Sequence, residues 1–451
     1  MIYPRITEAS YIGFDTETTG LYYPIHGAFG FSVALPDGCS YYYDIRRNPE
    51  SVDWIEDELT GTGPLIVCHN ASFDYKMSFS SGIRLPIDRL RDTVIQACLI
   101  NEHEKSYSLD NLLKKYTGAR KDDTIYQKLA TLYGGLATRN VQMKNIKDAP
   151  PEIVGPYCCD DAIGVLRLYE WQIGEIQRQG IEDIVDYEHS LMPTFIRAEM
   201  RGINVDVNKA EEAIDKLQKE INQRQNKINK IAGWEINVNS SPQVKELLKP
   251  KQKGDQWFCG GVEIPSTDKG GPSLGSETLR SLEGPESELV LSIRSLIKTK
   301  DTFLKGHVLG HEVNGKVYPN INQSKGEDGG TGTGRLSYTN PAMQQIPSRN
   351  KEVAAIVKPV FLPPEGMVWV DADMASFEVR VFAHLVNNPK LIEAYNKDPN
   401  IDFHQYVADE TGLVRNATYS GEPNAKQLNL SMIFNSGDGA IADKMGMPWS
   451  W

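Results

Sequence analysis

What this chain lacks narrows its class before any motif is read. No stretch of its 451 residues approaches the run of about 20 apolar residues that a membrane-spanning helix needs. The N-terminus, Met-Ile-Tyr-Pro-Arg, has no basic-then-apolar secretory pattern. Cysteine is scarce: the six residues Cys39, Cys68, Cys98, Cys158, Cys159 and Cys259 are scattered and show no zinc-ligand spacing. A disulfide framework is therefore not expected, and a reduced, cytoplasmic compartment fits. The adjacent Cys158 and Cys159 read as small apolar filling. Internal repeats and coiled-coil heptads are missing, which argues against solenoids and long coiled coils. A net charge of −12 argues against a nonspecific nucleic-acid coat, though not against an enzyme with a local basic track.

What is present is an ordinary globular composition, 40% hydrophobic and 24% charged, at a length that suggests about three domains. Residues 1–175 read as α/β. Short β-rich runs at Tyr11–Asp15, Phe31–Leu35, Tyr41–Asp44 and Leu65–Cys68 are bounded by Gly, Pro or Asp. Helical periodicity follows at Ser72–Phe79, Thr93–Asn101, Leu109–Tyr116 and Ile153–Ile173. A second region opens near Tyr187, with a helix stopping at Arg201-Gly202 and a long polar helix at about Lys209–Ile231. Residues 250–276 read as a loop or hairpin tip, and a helix at about Glu286–Lys305 returns, so that two long helices form a protruding clamp. Between Lys216 and Lys253 there are nine Lys/Arg against three Asp/Glu. From Val317 onward a glycine-rich loop at 326–334, a strand at Met367–Asp371, and helices at Ser376–Val386 and Asn424–Phe434 are expected, the last ended by Gly437 and Gly439.

Three acidic motifs carry the first chemistry. Asp15 and Glu17, in Phe-Asp-Thr-Glu-Thr-Thr-Gly, are two apart at a strand end and leave the same face. Asp74, in His-Asn-Ala-Ser-Phe-Asp, lies just inside a helix with Asn70 as its expected N-cap. Tyr157 and Asp161, in Tyr-Cys-Cys-Asp-Asp, are four apart on a helix and share a face. Such oxygen ligands suit Mg²⁺ or Mn²⁺. Two ions about 3.5–4 Å apart can activate a water and steady the leaving oxygen of an in-line displacement. A lone Asp-x-Glu usually marks a solvated turn; the three motifs in this order resemble the 3′–5′ exonucleases of the four-carboxylate-plus-tyrosine type. That resemblance implies a ribonuclease H-like α/β exonuclease domain with metal ligands Asp15, Glu17, Asp74 and Asp161, and with Tyr157 orienting the water. Asp92, in an Asp-Thr pair opening a helix, reads as structural.

The C-terminal half holds a second set of strings. Thr331-Gly-Thr-Gly-Arg-Leu-Ser-Tyr-Thr-Asn-Pro-Ala-Met-Gln-Gln-Ile-Pro347 resembles the segment of A-family DNA polymerases that tracks primer–template, which implies DNA contacts from Arg335, Gln344 and Gln345. Val370-Asp-Ala-Asp-Met-Ala-Ser-Phe-Glu-Val-Arg380 resembles that family's first palm motif. Asp373 then stands at the first catalytic metal ligand, Glu378 at the position that selects deoxynucleotides, and Arg380 buttresses the motif. Asp402-Phe-His404 resembles the opening of the fingers, with His404 on the triphosphate. Asn424-Ala-Lys-Gln-Leu-Asn-Leu-Ser-Met-Ile-Phe434 resembles the nucleotide-binding fingers helix, with Lys426, Leu430 and Phe434 on one stripe. Ser240, Ser241 and Gln243 resemble thumb-tip DNA contacts.

The resemblance implies four parts: an exonuclease domain at 1–180, a helical thumb at 187–310, the N-terminal part of an α+β palm at 311–395, and partial fingers at 396–451. The partners it implies are primer–template DNA, single-stranded 3′ ends and deoxynucleoside triphosphates, in a bacterial or phage-infected cell. With no preceding 5′-nuclease, the chain looks like phage-type members. Three positions depart from the family. Glu422 stands where a triphosphate-binding arginine is usual, unless Arg415 substitutes; Leu430 replaces an aromatic; Phe434 lacks a tyrosine hydroxyl. The His-Asp-Glu-type motif that carries the second palm aspartate is not found. The expectation is therefore an incomplete polymerase site completed by a second chain. Its alternatives are a stand-alone exonuclease with a DNA-gripping remnant, and a non-catalytic DNA-binding subunit.

Overall fold

The computed structural model describes residues 2–121, 123–327, 329–347, 351–417 and 422–445. The chain divides into two compact units, Met1–Glu365 and Gly366–Trp451.

The first unit begins with a five-stranded sheet made of β1 (Tyr11–Thr18), β2 (Ala28–Ala34), β3 (Ser40–Asp44), β4 (Leu65–Cys68) and β5 (Leu90–Asp92), in the order β3-β2-β1-β4-β5. β1 pairs antiparallel with β2 and parallel with β4. Around the sheet lie α1 (Glu50–Glu58), α2 (Ala71–Ser80), α3 (Thr93–Ile100), α4 (Leu109–Tyr116), α5 (Thr124–Tyr133), α6 (Arg139–Gln142) and the 29-residue α7 (Pro151–Gln179). Side chains of a strand alternate between faces. On β1, Ile12 and Phe14 enter a core with Phe31, Tyr43 and Ile55. Gly13 faces the other way, against α7. A Cβ there would stand 2.4 Å from Ala162 O and 2.9 Å from Leu166 Cγ, so only glycine lets helix and strand come this close.

The unit continues through α8 (Glu182–Arg201), β6 (Ile203–Val205), α9 (Val207–Ala232) and α10 (Ser241–Leu248). Gly202 ends α8 at φ 65°, with Tyr318 Cε1 2.8 Å from where a Cβ would be. Residues 251–264, read as loop or hairpin, form a three-stranded antiparallel sheet: β7 (Lys251–Lys253), β8 (Gln256–Cys259) and β9 (Val262–Ile264). Then come α11 (Ser276–Ser281), α12 (Pro285–Lys298) and a π-helical stretch at Thr299–Leu309. α9 turns Ala210, Ala213, Leu217, Ile221 and Ile228 into one core with Val290, Ile293, Phe303 and Leu304, a stripe at helical spacing. Strands β10 (Glu312–Val313) and β11 (Lys316–Val317), the hairpin of β12 (Asn320–Asn322) and β13 (Ser337–Thr339), α13 (Lys351–Val357) and β14 (Phe361–Leu362) complete it. β6 lies between β11 and β14 in a four-stranded sheet.

The second unit holds α14 (Phe377–Leu385), α15 (Pro389–Lys397), α16 (Phe403–Thr411), α17 (Ala425–Ile433) and α18 (Asp438–Met445). The strand expected at Met367–Asp371 is not formed. Among the described residues this segment has no ladder partner, and Val368 and Val370 are 79% and 84% exposed. A β-rich sequence becomes a strand only beside another strand. Helix α17 ends within one residue of the expected Phe434, but not through Gly437 and Gly439. Asn435 takes φ 53° after Phe434, while Gly439 lies inside α18.

The close passage of α7 over β1 gives the first test. Gly13→Ala should lower stability by about 1–3 kcal/mol through overpacking, seen as a reduced urea midpoint at unchanged slope. An unchanged midpoint would mean that α7 tolerates displacement.

Candidate active site

The alternation of β1 sends Gly13, Asp15 and Glu17 to the face covered by α7, where a full turn separates Tyr157 from Asp161. Carboxylate oxygens of Asp15, Glu17 and Asp161 lie within 4.8 Å of one another, the one such acidic or metal-ligating group among the described residues. A register shift between Glu17 and Thr18 marks the strand end at this point, where bulges re-aim side chains. Asp74, on α2, lies outside this three-residue group but approaches β1 between its two carboxylates. Its Oδ1 accepts from Thr16 N at 3.1 Å and from Thr16 Oγ1 at 2.6 Å, so it grips the residue between the two β1 carboxylates.

Helix α2 is oriented from outside itself. Asn70 occupies the N-cap position in the left-handed region at φ 80°, and its side chain makes no cap bond. The expected N-cap is thus replaced by Asp92, whose carboxylate accepts from Asn70 N at 3.1 Å, Ala71 N at 2.8 Å and Val94 N at 2.8 Å. One buried carboxylate therefore fixes the starts of both α2 and α3. His189 of α8 supports it: Nε2 accepts from Asp92 N at 2.9 Å while Nδ1 donates to Val185 O. Burial holds His189 neutral, with its pKa pulled down to about 4. On α2, Lys76 Nζ pairs with Glu199 Oε2 of α8 at 2.9 Å, both buried.

Two further side chains complete the site: Lys121, which carried no signal in the sequence, and Cys158, whose place in the Tyr-Cys-Cys-Asp-Asp motif reads only as apolar filling. Lys121 Nζ lies 2.6 Å from Asp161 Oδ1 and 5.3 Å from the Tyr157 ring centre. Cys158 Sγ, read as filling, lies 3.2 Å from Glu17 Oε1 and donates to it. The electrostatics follow from crowding negative charge away from water. Burial, then Asp161, pushes the Glu17 carboxyl up to about 7, against the pull of Cys158 and Lys121. Burial raises Asp74 to about 8 even though Thr16 favours its ionised form. Asp15 is raised by burial and then by Asp161, Asp74 and Glu17. Burial also raises Asp161, opposed mainly by Lys121. The Tyr157 hydroxyl is raised by burial and by Asp161.

The other expected site residues sit elsewhere. Arg335, Gln344 and Gln345 are exposed in the segment joined to β13, and Gln344 Nε2 donates to Leu336 O at 2.7 Å. At the clamp, Ser240 precedes α10, Ser241 opens it exposed, and Gln243 Oε1 accepts from Asn237 N at 2.6 Å.

In the second unit, Asp373 is exposed just before α14, and Glu378 is half-buried in its first turn. Arg380 buttresses this region, with its guanidinium 4.4 Å from the Tyr395 ring centre and Nε donating to Ala375 O. His404 is buried, and its Nδ1 accepts from Asn429 Nδ2 at 3.0 Å, which ties α16 to α17. Ala425 and Asn429 form the buried face of α17. Lys426 and Phe434 are exposed and Leu430 half-buried on the adjoining stripe. Arg415 binds Asp402 Oδ2 through Nε at 2.6 Å, and its carbonyl accepts from Lys426 N, so it lies at the start of α17.

Residues 2–171 match the 3′–5′ exonuclease family, and residues 207–450 match DNA polymerase family A. A DNA polymerase DpoZ of Vibrio phage phiVC8 is 53% identical over 452 residues, covering 97% of this chain and 71% of that protein. The DNA polymerase DpoZ of Salmonella phage PMBT28 is 46% identical, covering 100% of this chain and 73% of the relative. Among solved structures, the POL domain of Pol1 from M. smegmatis, in complex with DNA primer-template and dNTP, superposes with a TM-score of 0.74. It does so at 21% identity, over 99% of this chain and 71% of that one, a likeness of fold. No helix among the described residues is long and apolar enough to cross a membrane. The chain belongs to DNA polymerase family A and carries a 3′–5′ exonuclease domain in its N-terminal part.

Proposed function

We propose that Asp15, Glu17 and Asp161, with Asp74 beside them as the fourth ligand, form a two-metal site that removes nucleotides from DNA 3′ ends, proofreading for a replicative polymerase. The convergence of three carboxylates within 4.8 Å on a strand and a helix carries this reading. An all-oxygen set suits Mg²⁺ or Mn²⁺. Asp161 Oδ1 is buried and already faces one cation, the Lys121 ammonium at 2.6 Å, an acceptor suited to positive charge. Bound there, two such ions would supply an activated water and stabilise the leaving oxygen. The protein's part is placement. β1 and α7 set the carboxylates, Asp74 keeps Thr16 and the strand end from turning, and Tyr157 presents its hydroxyl beside Asp161 to orient the attacking water.

The remaining assignments belong to the same proposal. Residues 1–180 act as exonuclease, 187–310 as thumb, 311–395 as the N-terminal part of the palm and 396–451 as partial fingers. Ser240, Ser241, Gln243, Arg335, Gln344 and Gln345 contact primer–template. Asp373 supplies one polymerase metal ligand. Glu378, His404, Lys426, Leu430 and Phe434 bind the deoxynucleoside triphosphate, with His404 acting from a buried position and Arg415 standing in for the residue that Glu422 replaces. Polymerisation needs a second palm carboxylate, supplied from outside residues 1–451 by a second chain or by a longer form of this one.

A 5′-labelled primer–template with Mg²⁺ and all four deoxynucleotides should be shortened and not extended by residues 1–451. Template-directed extension would overturn the need for a second carboxylate. Asp15→Ala with Glu17→Ala should reduce shortening on the order of 10³-fold, the loss of roughly 4 kcal/mol of transition-state stabilisation. Asp373→Ala should leave shortening intact. Retained shortening in the double variant would refute the site.

Stability should report the same carboxylates. A carboxyl whose folded pKa is raised stabilises the fold fully below its unfolded pKa, and that contribution is lost as pH rises through the folded value. In chelator, the melting temperature should therefore fall between about pH 4.5 and 8, the window set by Glu17 at about 7 and Asp74 at about 8. Saturating Mg²⁺, at about 100 times its dissociation constant, should restore about 2.7 kcal/mol per bound ion at the upper end. A chelated profile that rises over this window would contradict the electrostatic description.

The clamp tip gives an independent test. Lys245, Lys249 and Lys251 are exposed, and Lys245 Nζ lies 4.9 Å from the Trp257 ring centre. Replacing all three with Gln should weaken duplex binding and reduce the slope of log K against log salt by about 2.7, at about 0.9 per phosphate contact. An unchanged slope would remove the clamp tip from the DNA track.

A further inference from the structure

Lys121 stands out as a cation already resident in an acidic site. Its side chain is only 20% exposed, and the Asp161 side chain it faces is 8% exposed. Burial disfavours an ammonium here, yet Asp161 and then Asp15 more than offset that cost and keep it charged. Lys121 Nζ lies 2.6 Å from Asp161 Oδ1, so the ammonium occupies the carboxylate oxygen that a metal would take. Lys121 also follows α4 outside any helix or strand, with its backbone N–H 3.4 Å from Asp110 Oδ1, so its side chain can leave without unwinding an element. The groups facing it are Asp161, Asp15 and the rings of Tyr157 and Tyr126.

We infer that Lys121 is a displaceable counter-ion of the exonuclease site, holding Asp161 in place when metal is absent and setting by competition the concentration of divalent cation needed to load the site. The inference rests on the metal-site reading above. Metal and ammonium compete for the same oxygen, because Lys121 Nζ already lies 2.6 Å from Asp161 Oδ1 and an uncoordinated ammonium beside a bound divalent ion would be repelled where water screens little. A metal that takes Asp161 must therefore expel the ammonium. Lys121 acts through Asp161 and so is a positioning residue, and its removal should tighten metal binding.

The test is Mn²⁺ titration of the whole chain by calorimetry, checked by paramagnetic resonance of free Mn²⁺. Lys121→Met and Lys121→Gln should bind Mn²⁺ about ten-fold or more tightly than wild type, as expected for removing a nearby positive charge. Lys121→Arg should stay within about three-fold of wild type, because it keeps the charge. Lys128→Met, which removes an exposed charge on α5, should not change the affinity. Half-saturating Mn²⁺ for shortening of a single-stranded 3′ end should fall in parallel for the Met and Gln variants. Wild-type binding with no tightening in either neutral variant would overturn the competition alone, as would tightening by Lys121→Arg equal to that of Lys121→Met. Absence of Mn²⁺ uptake by wild type would overturn the metal-site reading and this inference together.

Discussion

Repulsion among buried carboxylates is the constraint around which the first unit is arranged. Asp15, Glu17 and Asp161 are brought within 4.8 Å by packing that gains nothing from their proximity. The driving force lies beside them: Ala162, Val165 and Leu166 of α7 share one buried core with Ala34 of β2 and Val67 of β4, on the face of the sheet that carries the acids. Hydrophobic burial at about 25 cal/mol per Å² holds helix to strand, and Gly13 lets them approach to the point where the acids must meet. Lys121 and the Cys158 thiol then moderate the charge from two sides. The site is thus destabilised locally and supported by its neighbours, a pattern expected where a ligand will later supply the missing charge.

Much of this was legible in the chain because the candidate site residues obey the periodicities of their elements. Asp15 and Glu17 are two apart on a strand, Tyr157 and Asp161 four apart on a helix, and each pair shares a face for that reason. The helices at 109–116 and 93–101, and the four β-runs, follow from local pattern and turn residues. What the sequence concealed is of a different kind. Lys121 sits in Arg-Lys-Asp-Asp, which reads as an ordinary solvated loop, and only the tertiary fold carries its ammonium to Asp161. Asp92 was legible as structural, but not as the group that caps α2 in place of Asn70, because its partners Asn70 and Ala71 lie 22 and 21 residues away. The strand expected at Met367–Asp371 failed for the complementary reason: alternation and β-propensity describe a surface suited to a sheet, and a sheet also needs a neighbour.

The same buried polar chemistry joins the exonuclease fold to the segment expected to track primer. Glu199 of α8 receives Lys76 at 2.9 Å and Ser72 Oγ at 2.5 Å from α2, and also accepts from Ile321 N at the start of the β12–β13 hairpin. Lys76 reaches Asn320 Oδ1 at 3.1 Å as well. Farther along, Glu327 Oε1 accepts from Tyr107 N at 2.7 Å and Ser108 N at 3.1 Å, and so closes the N-terminus of α4 from a loop more than 200 residues downstream. Cys98 Sγ approaches Lys325 O at 2.7 Å between these points. Breaking a buried ion pair from one side typically costs 3–5 kcal/mol, because the remaining charge is stranded. The helix that carries Asp74 and the hairpin that leads to Arg335 therefore share one carboxylate, and neither can shift without leaving a buried charge or a backbone amide unpaired. Within the first unit, the geometry of the acidic site and the course of the glycine-rich segment are fixed by a single network, although residues 2–171 and 207–450 match two separate families.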